Sequence, residues 1–438
     1  MRNFPKILFV NGEPFNGASA TGITISNLFG GWPKESLAQL YTANIPTDHA
    51  RSLFCFRLTS QDLFPFSLGR SGSKFSESLY PHVCHISKSP RLAKGGVRMK
   101  LQYACAPLLD FLPYRVPEPI LEQIEDFKPD VIYSLLGNIR ITRLVHDLSR
   151  RLGIPVVPHF MDDWLETYSV PDKSTGSWLH RQVLNGAVRR LFRHVPLGMA
   201  IGDMMAREYS RKFDREFFPF MNPVEMMADG RGCLRRAAGP LVFVYIGGLH
   251  LRRDEALSDV IDMLSEINRI GVVAELRLYT PDADKHKASE LAARCSAVRY
   301  CGSVPAHDVA EVLRHCDVAV HVESSQASVA QYTRFSVSTK IPQYFAAGLP
   351  VLSYGPPDSA SSSYIVDSKA GVSVDGRDKE ALLVEIKRLV TDCEWREEVG
   401  LSARKVAIER HLGERVRAAF VDALSRAAIA DKKSYVGS

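Results

Sequence analysis

The feature that most constrains this chain is an alternation in its second half. Short runs of apolar and β-branched residues recur at 241–247, 274–280, 297–304, 318–323, 350–354 and 371–374. Helix-like stretches at 254–270, 285–294, 306–315, 340–347 and 378–390 separate them. A strand covered on both faces reads as a continuous apolar run, and two parallel strands need a crossover, usually a helix, to join them. The rhythm therefore predicts βαβ units and a parallel, doubly wound sheet. The first half repeats it less tidily, with buried strands expected at 7–10, 131–135, 156–160 and 197–201 and helices at 119–126 and 141–152. Residues 42–115, rich in Phe, Pro, Ser and Arg, do not parse into either pattern. Periodicity breaks at 221–239, where Asn222-Pro223 precedes the Gly/Arg-rich DGRGCLRRAAGP. The expected fold class is α/β, with two Rossmann-like doubly wound domains facing across a cleft. Their bounds are read as 1–222 and 223–395, and the helical stretch 396–438 is expected to pack back towards the first domain.

Composition narrows the class further. The 438 residues suffice for two or three domains. A content of 45% apolar and 24% charged residues is that of a soluble globular chain. No apolar run reaches the ~18–20 residues of a membrane-spanning helix. The N-terminus runs almost at once into a strand-like segment, which argues against a signal peptide. Eight cysteines without a Cys-x-x-Cys pair read as reduced, mostly buried thiols, so the expectation is a cytoplasmic protein and neither a disulfide scaffold nor a structural zinc module. The formal net charge of +6 lies entirely in the first 225 residues. Such a half suits nucleic acid, an anionic membrane surface or a phosphorylated substrate. No nucleic-acid-binding module accompanies it, and nucleic acid is not expected as a partner.

Ligands of doubly wound folds bind at the carboxyl ends of the strands, so the informative residues lie in loops that follow strands. The strongest constellation is FSVSTKIPQYFAAGLPVLSYGP at 335–356. Ser338 and Thr339 stand where a helix N-cap belongs, Lys340 in the first turn, Gly348 at the end, and Pro350 opens a strand. Free N–H groups, a positive dipole end, two hydroxyls and an ammonium make a phosphate site; an ordinary capped helix with a solvated lysine is the plain alternative. Gly247 and Gly248 in YIGGLHLRR follow the first strand of the second half, where small residues admit a pyrophosphate and Arg252 or Arg253 neutralises it. HFMDDW at 159–164 ends a strand with His159 and the carboxylates of Asp162 and Asp163 aimed at the crevice. A buried carboxylate there, Asp162 first and Asp163 second, is a candidate to accept a proton or to orient a hydroxyl. Asp282-Ala-Asp284 comes late, in a polar loop without metal-site companions, and is read as solvated. No metal and no other cofactor is expected.

The pattern S-T-K-I-x-Q-Y-x-A-x-G-x-P-V-L at 338–352 resembles the nucleotide-sugar site of retaining GT-B glycosyltransferases of the family-4 type. The resemblance covers 241–425 well and the first half only at its loops. It implies a metal-independent transferase that moves a sugar, with retention, from a nucleoside diphosphate to a glycan or lipid-linked acceptor, UDP or GDP being the expected carrier. It places the diphosphate against Gly17, Gly247, Gly248, Arg252, Arg253, Ser338, Thr339 and Lys340. Tyr279 in LYTP and Val304 in YCGSV frame the base, and His159 contacts the donor sugar. The family's helix carries a glutamate five residues before its glycine, holding the ribose; Gln343 stands there. The family's partner glutamate, eight residues earlier, is Phe335 here, and Glu323, at the end of the preceding strand, is expected to share that role. The loop NGEPFNGASATG at 11–22 supplies Thr21 and Gly22 on the acceptor side, before a helix at about 23–29.

The basic stretches 91–100 and 181–194 suggest a peripheral site on the inner membrane face, the second through an apolar face of Leu184, Val188, Leu191 and Phe192. Two other functions fit the same fold: a nucleotide-sugar epimerase, and a non-catalytic partner subunit that binds sugar nucleotides. The absent glutamate pair favours the second of these.

Overall fold

A computed structural model describes residues 4–17, 19–64, 111–167, 175–226 and 239–432. Among the described residues, thirteen strands form two sheets. The first contains β1 (Ile7–Asn11), β2 (Leu37–Tyr41), β3 (Phe54–Arg57), β4 (Val131–Ser134), β5 (Val156–Phe160), β6 (Leu197–Ala200) and β7 (Glu216–Pro219). The second contains β8 (Leu241–Ile246), β9 (Ala274–Tyr279), β10 (Val298–Tyr300), β11 (Val318–Val322), β12 (Val351–Gly355) and β13 (Gly371–Asp375). Their orders are β3-β2-β1-β4-β5-β6-β7 and β10-β9-β8-β11-β12-β13. Every neighbouring pair is parallel. The order reverses between β1 and β4 in one sheet and between β8 and β11 in the other, and a crevice opens at each switch point.

All six strands expected in the second half form. In the first half β2, β3 and β7 went unpredicted. The buried face of β2 is interrupted by Gln39, satisfied inside the core by the Phe15 N–H at 2.9 Å and by Ser52 Oγ at 2.8 Å. β7 is a short, mixed-burial edge strand ending in proline. Helices follow local rules. Ile139–Leu152 starts at Asn138, whose side chain accepts from the Ile141 N–H, and stops at Gly153 in the left-handed region.

The chain crosses back between the sheets where Val224 pairs with Leu412. Beyond it the helix Gly413–Lys432 lies on the first sheet, as expected from the sequence. Phe420 is enclosed there by Phe29, Trp32, Tyr133 and Phe220 in edge-on contacts of 5.0–6.3 Å. Val421, Ala423, Leu424 and Ala427 join the same buried cluster as Ile7 and Phe9 of β1.

Among the described residues no helix is long and apolar enough to cross a membrane. Of the two basic stretches, 91–100 lies outside the described residues. In the other, Leu184, Val188, Leu191 and Phe192 are buried in the first domain's core. The apolar face that a lipid surface would need is used against the helix Ile139–Leu152, which corrects the amphipathic reading of 181–194.

Candidate functional site

The loop after β8 is built to carry one arginine into the cleft. The Tyr245 hydroxyl donates to the Gly248 carbonyl at 2.7 Å, and Asp284 Oδ2 accepts from the Leu249 N–H at 2.8 Å. Asp284 is thus a brace for the glycine loop, which corrects the reading of Asp282-Ala-Asp284 as merely solvated. A Cβ at Gly248 would stand 2.6 Å from His250 Nδ1, so only glycine lets that ring lie over the turn. Leu251 and Arg252 then take φ values of +57° in succession. Left-handed backbone at two non-glycine residues persists only where surrounding contacts enforce it, and such strain gathers at ligand sites.

The turn separates the two candidate arginines. Arg252 is exposed and occupied elsewhere, with Nε 2.8 Å from Glu255 Oε1 and Nη1 2.9 Å from Gln326 Oε1. Arg253 opens the helix Arg253–Ile267 and is half-buried. Its charge acts on Asp162 of the first domain, on Glu323 of the second and on His250, whose Nε2 is 3.4 Å away. Arg252→Ala is expected to leave nucleotide affinity within about twofold. Arg253→Ala should weaken it about tenfold or more, since a charge-assisted hydrogen bond is worth roughly 1.5–3 kcal/mol. Calorimetric titration with a nucleoside diphosphate distinguishes them; equal losses would contradict the assignment.

Lys340 lies one position earlier than the sequence suggests. The helix is Ile341–Ala346, and Lys340 is its capping residue rather than part of its first turn. Pro342 lacks an N–H and is pre-set for a first turn, which fixes that start. Ser338 Oγ accepts from the Lys340 N–H at 3.4 Å, and the Thr339 carbonyl accepts from Asn222 Nδ2 at 3.4 Å. Burial lowers the pKa of the Lys340 ammonium, and among the described residues no carboxylate pairs with it. A desolvated cation without a counter-ion is a place prepared for an anion. One turn further on, Gln343 Oε1 is buried without a hydrogen-bond partner.

Tyr279 and Val304 pack against one apolar cluster. The strand ends that carry them are tied by Thr280 N–H to Gly302 O at 3.0 Å and by Cys301 N–H to Leu278 O at 2.9 Å. Burial and the neighbouring Cys301 push the Tyr279 hydroxyl up to about 12, so it remains a donor. Glu323 is 5% exposed at the end of β11. Desolvation alone would raise its pKa, but His321, with Nε2 3.3 Å away, and Arg253 outweigh it and hold the group below the ordinary value. Ser361 Oγ donates to Oε1 at 3.2 Å, while Oε2 is buried with no partner.

Across the cleft the three candidates of HFMDDW separate. His159 is fully buried and shares a 2.6 Å hydrogen bond with the Tyr133 hydroxyl through Nδ1. Strand alternation turns it into the core, so it does not reach a sugar in the cleft. Burial drops its pKa from the usual 6.5 to about 3. The folded ring thus stays neutral where the unfolded one titrates. Its contribution to stability is complete above pH 6.5 and is lost progressively as pH falls towards about 3. Melting temperatures over that range should decline less steeply for His159→Asn than for the wild type; parallel slopes would contradict this. Asp163 is also turned inwards, 3% exposed and accepting from the Tyr209 hydroxyl at 2.7 Å. Asp162 alone faces the second domain, where Ser336 Oγ donates to Oδ1 at 2.9 Å. Desolvation raises its pKa, against the hydrogen bond from Ser336, the neighbouring Tyr332 hydroxyl and the charges of Arg253 and His250.

In the loop 11–22, Ser19 caps a helix at Ala20–Leu28, three residues earlier than expected, by accepting from the Gly22 N–H at 2.9 Å. Gly22 is enclosed, since a Cβ there would stand 2.3 Å from Asn16 Nδ2. Gly17 is open on all sides and Thr21 is half-buried, so these two remain accessible to a ligand. The loop region is linked to the Lys340 turn through Asn27 Nδ2, which donates to Asn222 Oδ1 at 2.9 Å. Tyr332, Ser336, His250, His321 and Ser361 were not foreseen. Ser336 lies within the strongest motif, but nothing in its spacing marks a partner in the other domain. Among the described residues no three His, Cys, Asp or Glu side chains are grouped to hold a metal ion.

Residues 240–392 match the family described as glycosyl transferases group 1. The structure of HepE from Anabaena in complex with UDP superposes with a TM-score of 0.63 and 14% identity, covering 96% of this chain and 100% of that one. Sucrose-phosphate synthase from Thermosynechococcus elongatus gives 0.59 and 14%, over 96% and 98%. WaaG, a glycosyltransferase involved in lipopolysaccharide biosynthesis, gives 0.53 and 13%, over 94% and 98%. No curated protein matches the chain in sequence. The shared architecture is the GT-B fold, along almost the whole chain.

Proposed function

We propose that this chain, of GT-B fold and with a group 1 glycosyltransferase domain at 240–392, moves a sugar from a nucleoside diphosphate to a hydroxyl acceptor in its cleft without a metal ion. The observation that carries the reading is the half-buried, partly desolvated ammonium of Lys340, with no carboxylate paired to it among the described residues. With Arg253 and the glycine loop it supplies the positive charge that a leaving diphosphate needs, which is the work a divalent cation does in other sites. The domain after residue 222 holds the donor, and the domain before it the acceptor. Tyr279 and Val304 flank the base, and the orphan oxygens of Gln343 and Glu323 accept from ribose and sugar hydroxyls. Asp162 takes the acceptor's proton. UDP is the first carrier to try, because HepE was solved with UDP and with UDP-glucose. Retention at the anomeric carbon follows from the family resemblance, and a glycan or lipid-linked acceptor suits the basic first half.

The test is incubation of the chain with UDP-glucose in EDTA, followed by proton NMR of the released or transferred glucose. Release of UDP with an α-configured first product is the expected result. Conversion of the donor to an epimer would favour the epimerase alternative. Binding without turnover would favour the non-catalytic one, and loss of turnover on chelation would overturn metal independence.

A further inference from the structure

What holds Asp162 comes from the other domain. Besides the 2.9 Å bond from Ser336 Oγ, the Tyr332 hydroxyl stands near enough to the same carboxylate for each to shift the other's pKa. Both hydroxyls lie where the helix Ala327–Thr333 runs out towards Lys340, and this stretch is pinned to the first domain. The helix packs on Trp164–Thr167. Phe335, partly buried, packs against the first domain's core, with the Arg334 guanidinium 5.1 Å above its ring. Behind Ser336, the Ser361 hydroxyl lies 3.3 Å from the Ser336 carbonyl and 3.2 Å from Glu323 Oε1. It has one proton to give and serves one of them at a time. A chain of hydrogen-bonding groups therefore joins the acceptor-side carboxylate to the donor-side one through a single segment.

We propose that Tyr332 and Ser336 are positioning residues for Asp162, two hydroxyls delivered across the cleft that fix the carboxylate's orientation towards the acceptor when the domains are closed. This rests on Asp162 being the group that takes the acceptor's proton. The Ser336 donor, with the Tyr332 hydroxyl beside it, occupies part of the carboxylate's lone-pair capacity and leaves the rest for the incoming hydroxyl. They favour the ionised form, opposing the desolvation that disfavours it. Opening the cleft removes both hydroxyls together, so the base is complete only in the closed arrangement. The other groups that face Asp162 are Arg253 and His250 from the loop after β8 and Tyr209 from the helix Asp203–Phe213.

The experiment compares Tyr332→Phe, Ser336→Ala and their combination, each with and without Asp162→Asn. One readout is the pH profile of UDP release from UDP-glucose. The other needs no substrate: the pH dependence of the melting-temperature difference between each protein and its Asp162→Asn counterpart, which reports where Asp162 titrates. The expected result is an upward move of about one pH unit in both for each single variant, with roughly tenfold slower turnover, because each lost hydroxyl had favoured the carboxylate. Profiles that superpose on the wild type, in variants that melt normally, would overturn the proposal. Turnover undiminished by Asp162→Asn would overturn the reading of Asp162 beneath it, a distinguishable failure. Should UDP-glucose not be turned over at all, the melting readout decides alone.

Discussion

Lys340→Met is expected to weaken binding of the nucleoside diphosphate by roughly a hundredfold or more while leaving the free protein as stable as before, or more so. The two effects have one cause. The residue is half-buried, desolvation lowers the pKa of its ammonium, and no carboxylate in the described structure offsets that penalty. Replacing it by an apolar side chain of similar length removes a destabilising charge and keeps the packing of the stem. When the diphosphate is bound, the same charge is half of a buried ion pair, and truncating one partner of such a pair costs about 2–5 kcal/mol. A structural lysine would give the opposite combination, with stability lost and affinity kept. Chemical unfolding together with calorimetric titration separates the two, and Lys340→Arg should restore part of the affinity.

Asp162→Asn is expected to slow transfer by about 10²–10⁴-fold, the usual range for loss of a positioned proton acceptor, with nucleotide affinity nearly unchanged. The amide keeps the shape and can still accept from Ser336 through its oxygen, so the closed cleft should survive. Only the capacity to take a proton is lost. Because desolvation raises the pKa of Asp162, the wild-type enzyme should lose activity as pH falls at values above those of an ordinary carboxylate. That acid limb should be absent from the residual activity of the variant. Asp163→Asn provides the contrast, since this residue is turned into the first domain against Tyr209. Its effect should appear in stability rather than in the pH profile.

Much of the architecture was legible because parallel strands buried on both faces leave uninterrupted apolar runs. Six of six strands in the second half announced themselves in this way, whereas β2, with Gln39 inside the core, and the edge strand β7 did not. The candidates on the donor side could be singled out for a related reason. Gly247, Gly248 and Arg253 stand in or just after the loop that follows β8, and Lys340 stands at the cap of the helix Ile341–Ala346. The acceptor side was not, because its contacts are made between domains. Sequence ranks Asp162 before Asp163 without a physical reason to separate them, and only the turn of the chain after β5 shows that one faces Ser336 and the other Tyr209. Phe335 illustrates the same limit. It stands where relatives in the resembled family carry a glutamate, and its ring is instead packed against the core of the other domain.

The most direct test of the central claim is a thermal-shift comparison of UDP, GDP, ADP, CMP and their common sugars, all in EDTA. A ligand at a hundred times its dissociation constant stabilises the folded state by about 2.7 kcal/mol, a plainly measurable rise in melting temperature. The expectation is a shift with one nucleoside diphosphate and its sugars, UDP first among them, that vanishes in Lys340→Met. Well-folded protein that none of these compounds stabilises would contradict the assignment of a donor site around Lys340 and Arg253.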